Sequence, residues 1–242
     1  MGPVIGIGVG QKHDPTAACA AVTARTFMAM GVDIGQKRDP TAIAVVEIKL
    51  RKDPDPQGSE RETAHFFGRL LERLPLGTPY PDVARRVREV CTRIAERTGV
   101  APKVFIDATG VGGPVVDLIA DKLPSSRSLW AVYFTYGDRR TEHKAERRVA
   151  LGKAFLVSRL QTLLQTGRIH LPRNPESGVL VEELLDYEIR VDKNANDQYG
   201  AFRVGKHDDL VTALGLAVQK EPRVGSVYPS APGRQPLAIY NF

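Results

Sequence analysis

The sequence predicts an α/β protein with a mixed central sheet flanked by helices. Residues 31–47, GVDIGQKRDPTAIAVVE, place apolar stretches on both sides of a turn at 38–40, which is the pattern of an antiparallel hairpin. Residues 101–123 combine an apolar run, a turn of small residues and an amphipathic helix, and such a crossover favours a parallel strand. Antiparallel and parallel pairing in one chain predict the mixed sheet.

The remaining strands and helices follow from hydrophobic periodicity. Strands are predicted at 64–74, 129–137 and, at an edge, 168–172, and helices at 79–99, 153–167, 177–189 and 206–219. The expected buried stripe of the helix at 153–167 consists of Leu156, Leu160, Leu163 and Leu164. Residues 138–148 are predicted to form a charged loop or the start of a helix, and 189–204 a polar hairpin.

The composition indicates a globular protein with a basic surface. Of the 242 residues, 42% are hydrophobic, which is enough for a packed core, and the formal net charge of +6 modestly favours a polyanionic partner. The two cysteines, Cys19 and Cys91, form neither a disulfide framework nor a zinc pattern, which suits a reducing cytosol. Without a long apolar stretch or a signal peptide, the protein is expected to be neither exported nor membrane-spanning.

A near-repeat marks the start of the chain. Residues 10–17, GQKHDPTA, almost duplicate 35–42, GQKRDPTA, but the first copy has Gly8 where the second has Asp33. Two copies are too few for a solenoid, and the glycines of the first copy do not fit a GxxxxGK[ST] phosphate loop.

This duplication suggests three regions. Residues 1–27 are predicted to be a degenerate extension that is either disordered or adds an edge strand. Residues 28–221 are predicted to form the functional domain. Residues 222–242, rich in Pro, Gly and Ser, are predicted to be a flexible tail.

Three aspartates stand where folding could bring them together. Asp33 lies in the first strand, Asp107 ends a strand at the edge where α/β sheets bind ligands, and Asp209 opens the last helix. Each alone also fits a turn or a helix N-terminus. Together they predict a cluster of like charges that divalent cations neutralise, and oxygen ligands suit Mg²⁺ or Mn²⁺. A pair of such ions can promote phosphodiester cleavage.

Helical geometry separates the two acids of the last helix. At about 100° per residue, Asp209 lies at the edge of the apolar stripe and Asp208 points nearly opposite. Asp209 is therefore expected to face the sheet, and Asp208 to support it or cap the helix. His170 stands alone in its segment and receives no catalytic role.

Three motifs in this order, GVDIGQKRDPTAIAVVE, VFIDATGVGGPVVDLI and KHDDLVTALGLAV, resemble the nuclease domain of the large terminase subunit of tailed bacteriophages. The resemblance spans about residues 30–219. It implies a ribonuclease H-like (resolvase-like) fold and a metal-dependent endonuclease that cuts concatemeric viral double-stranded DNA during packaging. By motif, Asp33, Asp107 and Asp209 would be the catalytic residues and the metal ligands, with Asp39 and Asp208 as supporting acids. The bound metal would be a pair of Mg²⁺ or Mn²⁺ ions.

The same resemblance implies DNA contacts and partners. The residues it implies for phosphate contact are Lys153, Arg190, Lys193 and Arg203. The implied partners are double-stranded DNA, a packaging ATPase motor, a small terminase subunit and a portal, in the host cytoplasm and without a membrane. The family's full protein carries the motor ahead of the nuclease, and this chain has no phosphate loop for one. An isolated nuclease domain, a split subunit or a prophage remnant is therefore expected.

Three alternative functions remain open. A resolvase- or transposase-type nuclease would use the same metal site on another DNA substrate. An actin-like or sugar-kinase-like ATPase shares the fold core, but it needs two such domains, and the turn at 107–113 matches its second phosphate loop poorly. A non-enzymatic DNA-binding or assembly protein is the third.

Overall fold

A computed structural model describes residues 26–35, 37, 39–54, 59–110, 112–186, 188–191, 197–200 and 207–222. The strands of the main sheet are β1 (Thr26–Asp33), β2 (Ala42–Pro54), β3 (Glu60–Arg73), β4 (Lys103–Asp107), β5 (Leu129–Thr135), β6 (Arg140–His143), β7 (Arg148–Gly152) and β8 (Ile169–His170). The helices are α1 (Tyr80–Thr98), α2 (Gly112–Lys122), α3 (Lys153–Gln165), α4 (Pro175–Asp186) and α5 (Asp209–Val218). A separate ribbon consists of β9 (Glu188–Val191) and β10 (Asp197–Gly200).

The main sheet has the order β6-β7-β5-β4-β1-β2-β3-β8. Strands β2 and β6 are antiparallel to their neighbours, and all other adjacent pairs are parallel. The predicted mixed α/β sheet is therefore confirmed. Because β1, β3, β4, β5 and β7 run the same way, their carboxyl ends lie along one side of the sheet, which we call the carboxyl edge.

Helices cover both faces of the sheet and bury two apolar layers. On one face α1 and α2 pack over alternate strand residues such as Met30, Val32 and Ile106. On the other face α3, α4 and α5 pack over the intervening residues. Every residue of α5 is buried, because this short helix lies between the sheet and α3 and α4.

A glycine in β1 lets α5 approach the sheet closely. A Cβ atom added to Gly31 would lie 1.9 Å from the carbonyl oxygen of Ala213 and 2.7 Å from the backbone nitrogen of Ala217. Any side chain at this position would collide with the helix backbone, which cannot yield as a flexible side chain can. Gly31 therefore fixes the distance between the central strand and the helix that carries Asp209.

Replacing Gly31 with alanine is expected to lower the free energy of unfolding by about 3 kcal/mol, because α5 must move away from β1. The measurement is chemical denaturation of the full chain. The matched control is Gly178→Ala in α4, where an added Cβ meets nothing within 4 Å. This control should leave stability unchanged or raise it by up to about 1 kcal/mol. Equal stability of the two variants would contradict the close packing of α5 on β1.

Two local predictions are wrong. Residues 138–148 do not begin a helix and are not a continuous loop, because residues 140–143 form β6, which a turn at 144–147 joins to β7 as an antiparallel hairpin. Strand β6 lies at the sheet edge and is largely exposed, so it lacks the apolar alternation that predicts strands. In α3, the buried stripe consists of Leu156, Leu160 and Leu163, whereas Leu164 is 40% exposed and faces solvent.

The chain ends were predicted only in outline. Strand β1 begins at Thr26, within the segment assigned to the N-terminal extension. Residues 1–25, and the predicted tail from residue 223 onward, lie outside the described residues. No described helix is long and apolar enough to cross a membrane.

Candidate metal centre

Strand alternation sends Asp33 and Asp107 to the same face of the sheet. Val32 and Ile106 are register partners in the parallel pair β1–β4, and both face α1 and α2. Asp33 and Asp107 each follow directly at the carboxyl edge, so their side chains point to the opposite face, where α5 lies. Neighbouring parallel strands therefore carry the two aspartates side by side.

Helix α5 brings its own acids to this edge. Its first residue, Asp209, is only 3% exposed, and the helix packs against β1 and β4. Asp208 precedes the helix and is partly exposed. This is the orientation that helical geometry predicts from the sequence.

The electrostatics of Asp33 show that the acids converge. Burial is the main reason why the pKa of Asp33 is raised well above its usual value, and the negative charges of Asp107, Asp209 and Asp208 raise it further. The ammonium group of Lys153 acts in the opposite direction. The strand residue predicted to bind metal therefore lies within the electrostatic reach of three other carboxylates and one lysine.

Local hydrogen bonds orient Asp107. The backbone N–H of Thr109 donates to its Oδ1 at 2.8 Å, and the Thr109 hydroxyl oxygen accepts from the Phe134 backbone N–H at 2.8 Å. Burial raises the pKa of Asp107, whereas the hydrogen bonds from Thr109 and the charge of Lys153 lower it. The turn after β4 thus holds this carboxylate in a fixed direction at the carboxyl edge.

The tightest cluster of ligand atoms contains one residue that the sequence did not indicate. His207 Nδ1 lies 3.5 Å from Asp39 Oδ1 and 3.8 Å from Asp209 Oδ2, and the three ligand atoms lie within 4.8 Å of one another. Asp33 and Asp107 are outside this group. Of the three aspartates predicted to share an ion, the structure brings only Asp209 into the compact cluster, and the other two lie beside it on the sheet.

Buried polar atoms at this cluster fit a cation. Among the described residues, no hydrogen bond reaches Asp209 Oδ2 or His207 Nδ1. A buried carboxylate oxygen without a hydrogen bond is costly unless positive charge compensates for it. Carboxylate oxygens and an imidazole nitrogen are suitable ligands for a divalent ion.

Of the residues predicted to contact DNA, Lys153 is the one that the structure places. It begins α3 directly after β7 at the carboxyl edge, and its Nζ lies 5.4 Å from the centre of the Phe134 ring. Arg190 belongs to β9. Lys193 and Arg203 lie outside the described residues.

Comparisons with known proteins identify this arrangement of strands and helices. No protein-family model matches the chain, and no curated protein matches it either. The large terminase nuclease from thermophilic phage G20c with bound magnesium aligns over 81% of this chain and 82% of its own, with 19% identity and a TM-score of 0.51. The form with bound cobalt gives 81% of each chain, 19% identity and a TM-score of 0.50. The chain has the fold of a terminase nuclease domain.

A third similar structure comes from human cytomegalovirus. The human cytomegalovirus terminase nuclease domain, soaked in manganese, aligns over 80% of this chain and 81% of its own, with 13% identity and a TM-score of 0.47. The predicted ribonuclease H-like fold is confirmed by the two phage structures. At these identities the likeness concerns the fold, so the roles of individual residues must come from this chain's own geometry.

Sequence reasoning missed a buried ion pair that supports α5 in this terminase nuclease fold. Arg73 ends β3 at the carboxyl edge, donates from Nη2 to Glu183 of α4, and places its Nε 3.5 Å from Asp209 Oδ2. Glu183 in turn accepts the backbone N–H of Val211 at 3.0 Å, within the first turn of α5. The sequence feature that could have indicated this pair is Glu183, a carboxylate three residues after Leu180 on the buried side of α4.

Without metal, the stability of the protein should fall as pH rises from about 4 to 7. Burial raises the pKa of Asp209 from 3.8 to about 6 and that of Glu183 from 4.5 to about 7. The folded state therefore holds protons that the unfolded state has released, and deprotonation destabilises it. For Asp209 the loss should be on the order of 2–3 kcal/mol. Urea denaturation in EDTA at pH 5 and pH 7.5 measures it.

Two further observations check this pH dependence. Asp209→Asn should flatten the profile, because the neutral amide does not titrate in this range. Saturating Mn²⁺ should restore stability at pH 7.5, since an ion that binds only the folded state stabilises it. A metal-free protein that is more stable at pH 7.5 than at pH 5 would contradict the buried, repulsive arrangement of these acids.

Proposed function

We propose that the chain is a metal-dependent endonuclease that cleaves double-stranded DNA, as a terminase nuclease does when concatemeric phage DNA is cut during packaging. The observation that carries the proposal is the convergence of Asp33, Asp107 and Asp209 at the carboxyl edge of this fold. Strand alternation directs the first two to one face, and the docking of α5 adds the third. The mutual repulsion of these carboxylates raises the pKa of Asp33, and a bound divalent cation would relieve it.

The acids would hold Mg²⁺ or Mn²⁺, with Asp33, Asp107 and Asp209 as ligands and Asp39 and Asp208 as supporting acids. When bound, a pair of such ions activates water and stabilises the leaving oxygen of a phosphodiester. Two ions fit an arrangement in which the compact cluster at Asp209 lies beside the two sheet aspartates.

Other residues of the chain would position the acids and the DNA. Thr109 keeps the Asp107 carboxylate aimed along the carboxyl edge, and Arg73 holds Asp209 from the side of β3. Lys153 is near enough to Asp33 and Asp107 to influence the pKa of both, so a phosphate that approaches the acids would meet its ammonium group. DNA binding through phosphates should weaken steeply with salt and show little sequence preference.

The test is cleavage of supercoiled plasmid by the full chain after removal of metal with EDTA. Addition of Mn²⁺ or Mg²⁺ should produce nicked and linear DNA, and the EDTA-treated protein should produce neither. ATP hydrolysis without cleavage would favour the kinase-like alternative. DNA binding with neither activity would favour an assembly role.

The biological setting follows only if cleavage is found. In that case, a packaging ATPase motor, a small terminase subunit and a portal would be the partners, and the bacterial host cytoplasm would be the location. The support for these partners is the shared fold. A pull-down of the motor and small subunit from phage-infected or prophage-induced cells, with the full chain as bait, tests them directly.

A further inference from the structure

We propose that His207 is a metal ligand, and that Asp39, His207 and Asp209 form a nitrogen-containing ion position that favours Mn²⁺ or Co²⁺ over Mg²⁺. This inference rests on the proposed nuclease function, but it concerns a residue outside the predicted acid set. The inference also predicts which ion is preferred. A cluster of oxygen ligands alone would not favour Mn²⁺ or Co²⁺ over Mg²⁺ in this way.

The distances from His207 to the two carboxylates suit a shared ion. Two donors about 2.1 Å from one metal, at angles of 90° to 120°, lie roughly 3.0–3.6 Å from each other. His207 Nδ1 is 3.5 Å from Asp39 Oδ1 and 3.8 Å from Asp209 Oδ2. Both distances are too long for a good hydrogen bond and close to the spacing across a coordinated ion.

The polar atoms at the centre of this cluster lack hydrogen bonds. Asp209 is 3% exposed, and among the described side chains no hydrogen bond reaches its Oδ2. Arg73 Nε, at 3.5 Å, does not supply one, because Arg73 is turned toward Glu183. His207 Nδ1 is likewise buried without a hydrogen bond within the described part of the chain. A buried imidazole nitrogen and a buried carboxylate oxygen without hydrogen bonds can both coordinate a cation.

The three ligands come from the turn between β1 and β2 and from the start of α5. Asp39 lies in the turn between β1 and β2, which the Thr41 hydroxyl closes by accepting from the Gly35 N–H at 3.2 Å and donating to the Gly35 carbonyl at 3.0 Å. A Cβ on Gly35 would lie 2.0 Å from the Asp39 carbonyl oxygen, so the backbones of Gly35 and Asp39 are in close contact. His207 lies two residues before Asp209, the first residue of α5.

An imidazole ligand changes the choice of ion. Mg²⁺ takes oxygen ligands and keeps several waters, whereas first-row transition-metal ions such as Mn²⁺ and Co²⁺ accept an imidazole nitrogen more readily. His207 must be neutral to bind through Nδ1. A His207 that only paired with the two carboxylates would leave no nitrogen on the bound ion, so the bound ion itself reports the role of His207.

The experiment is pulsed electron paramagnetic resonance of the full chain loaded with less than one equivalent of Mn²⁺. Electron spin echo envelope modulation detects a directly bound ¹⁴N, so the wild-type protein should show nitrogen modulation and His207→Gln should lose it. His143→Gln is the matched control, because His143 is exposed on the edge strand β6, away from the carboxyl edge. This control should retain the signal.

A competition titration gives the second readout. His207→Gln should weaken Mn²⁺ binding at least about tenfold, since even the loss of an outer partner of a ligand has that effect, and should weaken Mg²⁺ binding less. His207→Asp should restore ion binding through oxygen, shift the preference toward Mg²⁺ and leave the nitrogen signal absent.

The outcomes distinguish this inference from the proposed function. Mn²⁺ binding and DNA cleavage without nitrogen modulation would overturn the role of His207 and leave the acid-based nuclease intact. Nitrogen modulation that persists in His207→Gln would also overturn it. Absence of Mn²⁺ binding to the wild-type chain would overturn both.

Discussion

Asp33→Asn and Asp107→Asn are each expected to reduce metal-dependent DNA cleavage at least about a thousandfold, equivalent to about 4 kcal/mol of lost transition-state stabilisation. Asparagine has nearly the shape of aspartate, so the strands should still pair, but the neutral amide is a poor ligand for a divalent ion. The two side chains lie on neighbouring parallel strands at the carboxyl edge. Either substitution therefore removes a ligand from the same metal site.

The loss should not come from unfolding. Burial and three nearby carboxylates raise the pKa of Asp33, so its ionised form destabilises the metal-free protein. Asp33→Asn should therefore melt at the same temperature as wild type in EDTA, or higher. The matched control is Asp117→Asn, at an exposed position in α2 on the opposite face of the sheet. Cleavage by Asp33→Asn within tenfold of this control would exclude Asp33 as a ligand.

The parts of the fold that the sequence predicts are those with a local pattern. The hairpin of β1 and β2 has apolar strands on both sides of a turn, and α1 has helical spacing and ends at Gly99 in the left-handed conformation. Strand β4 has an apolar run before Asp107. By contrast, β6 pairs with β7 at an exposed edge, where polar residues carry no period to recognise.

The same distinction applies to the candidate site. Asp33 and Asp107 end predicted strands, so a parallel sheet alone brings them to one edge. Arg73 and Glu183 meet only because α4 and α5 dock on the far strand β3, and no local pattern encodes such a contact. His207 has no regular secondary structure, and no local pattern predicts that its Nδ1 lies 3.5 Å from Asp39 Oδ1.

Asp209→Asn is expected to impair cleavage about a hundredfold or more, whereas Asp208→Asn should cost less than about tenfold. The two neighbours differ in direction, because Asp209 is buried at the first position of α5 and Asp208 is partly exposed before it. Asp209 also lies between Arg73 and His207, at 3.5 Å and 3.8 Å, so its carboxylate is already fixed where an ion would be held. The measurement is plasmid cleavage at saturating Mn²⁺, with Mn²⁺ affinity determined alongside.

A purely structural Asp209 would give a different pattern. If its task were only to pair with Arg73, Asp209→Asn would change stability but leave the Mn²⁺ affinity of the folded protein unchanged. As a ligand, Asp209 should instead show reduced Mn²⁺ affinity on substitution, with metal-free stability kept or raised, because burial raises its pKa to about 6 and its charge opposes folding above that pH. A larger loss of cleavage in Asp208→Asn would mean that the partly exposed residue binds the ion, and the inward face of α5 would then serve packing alone.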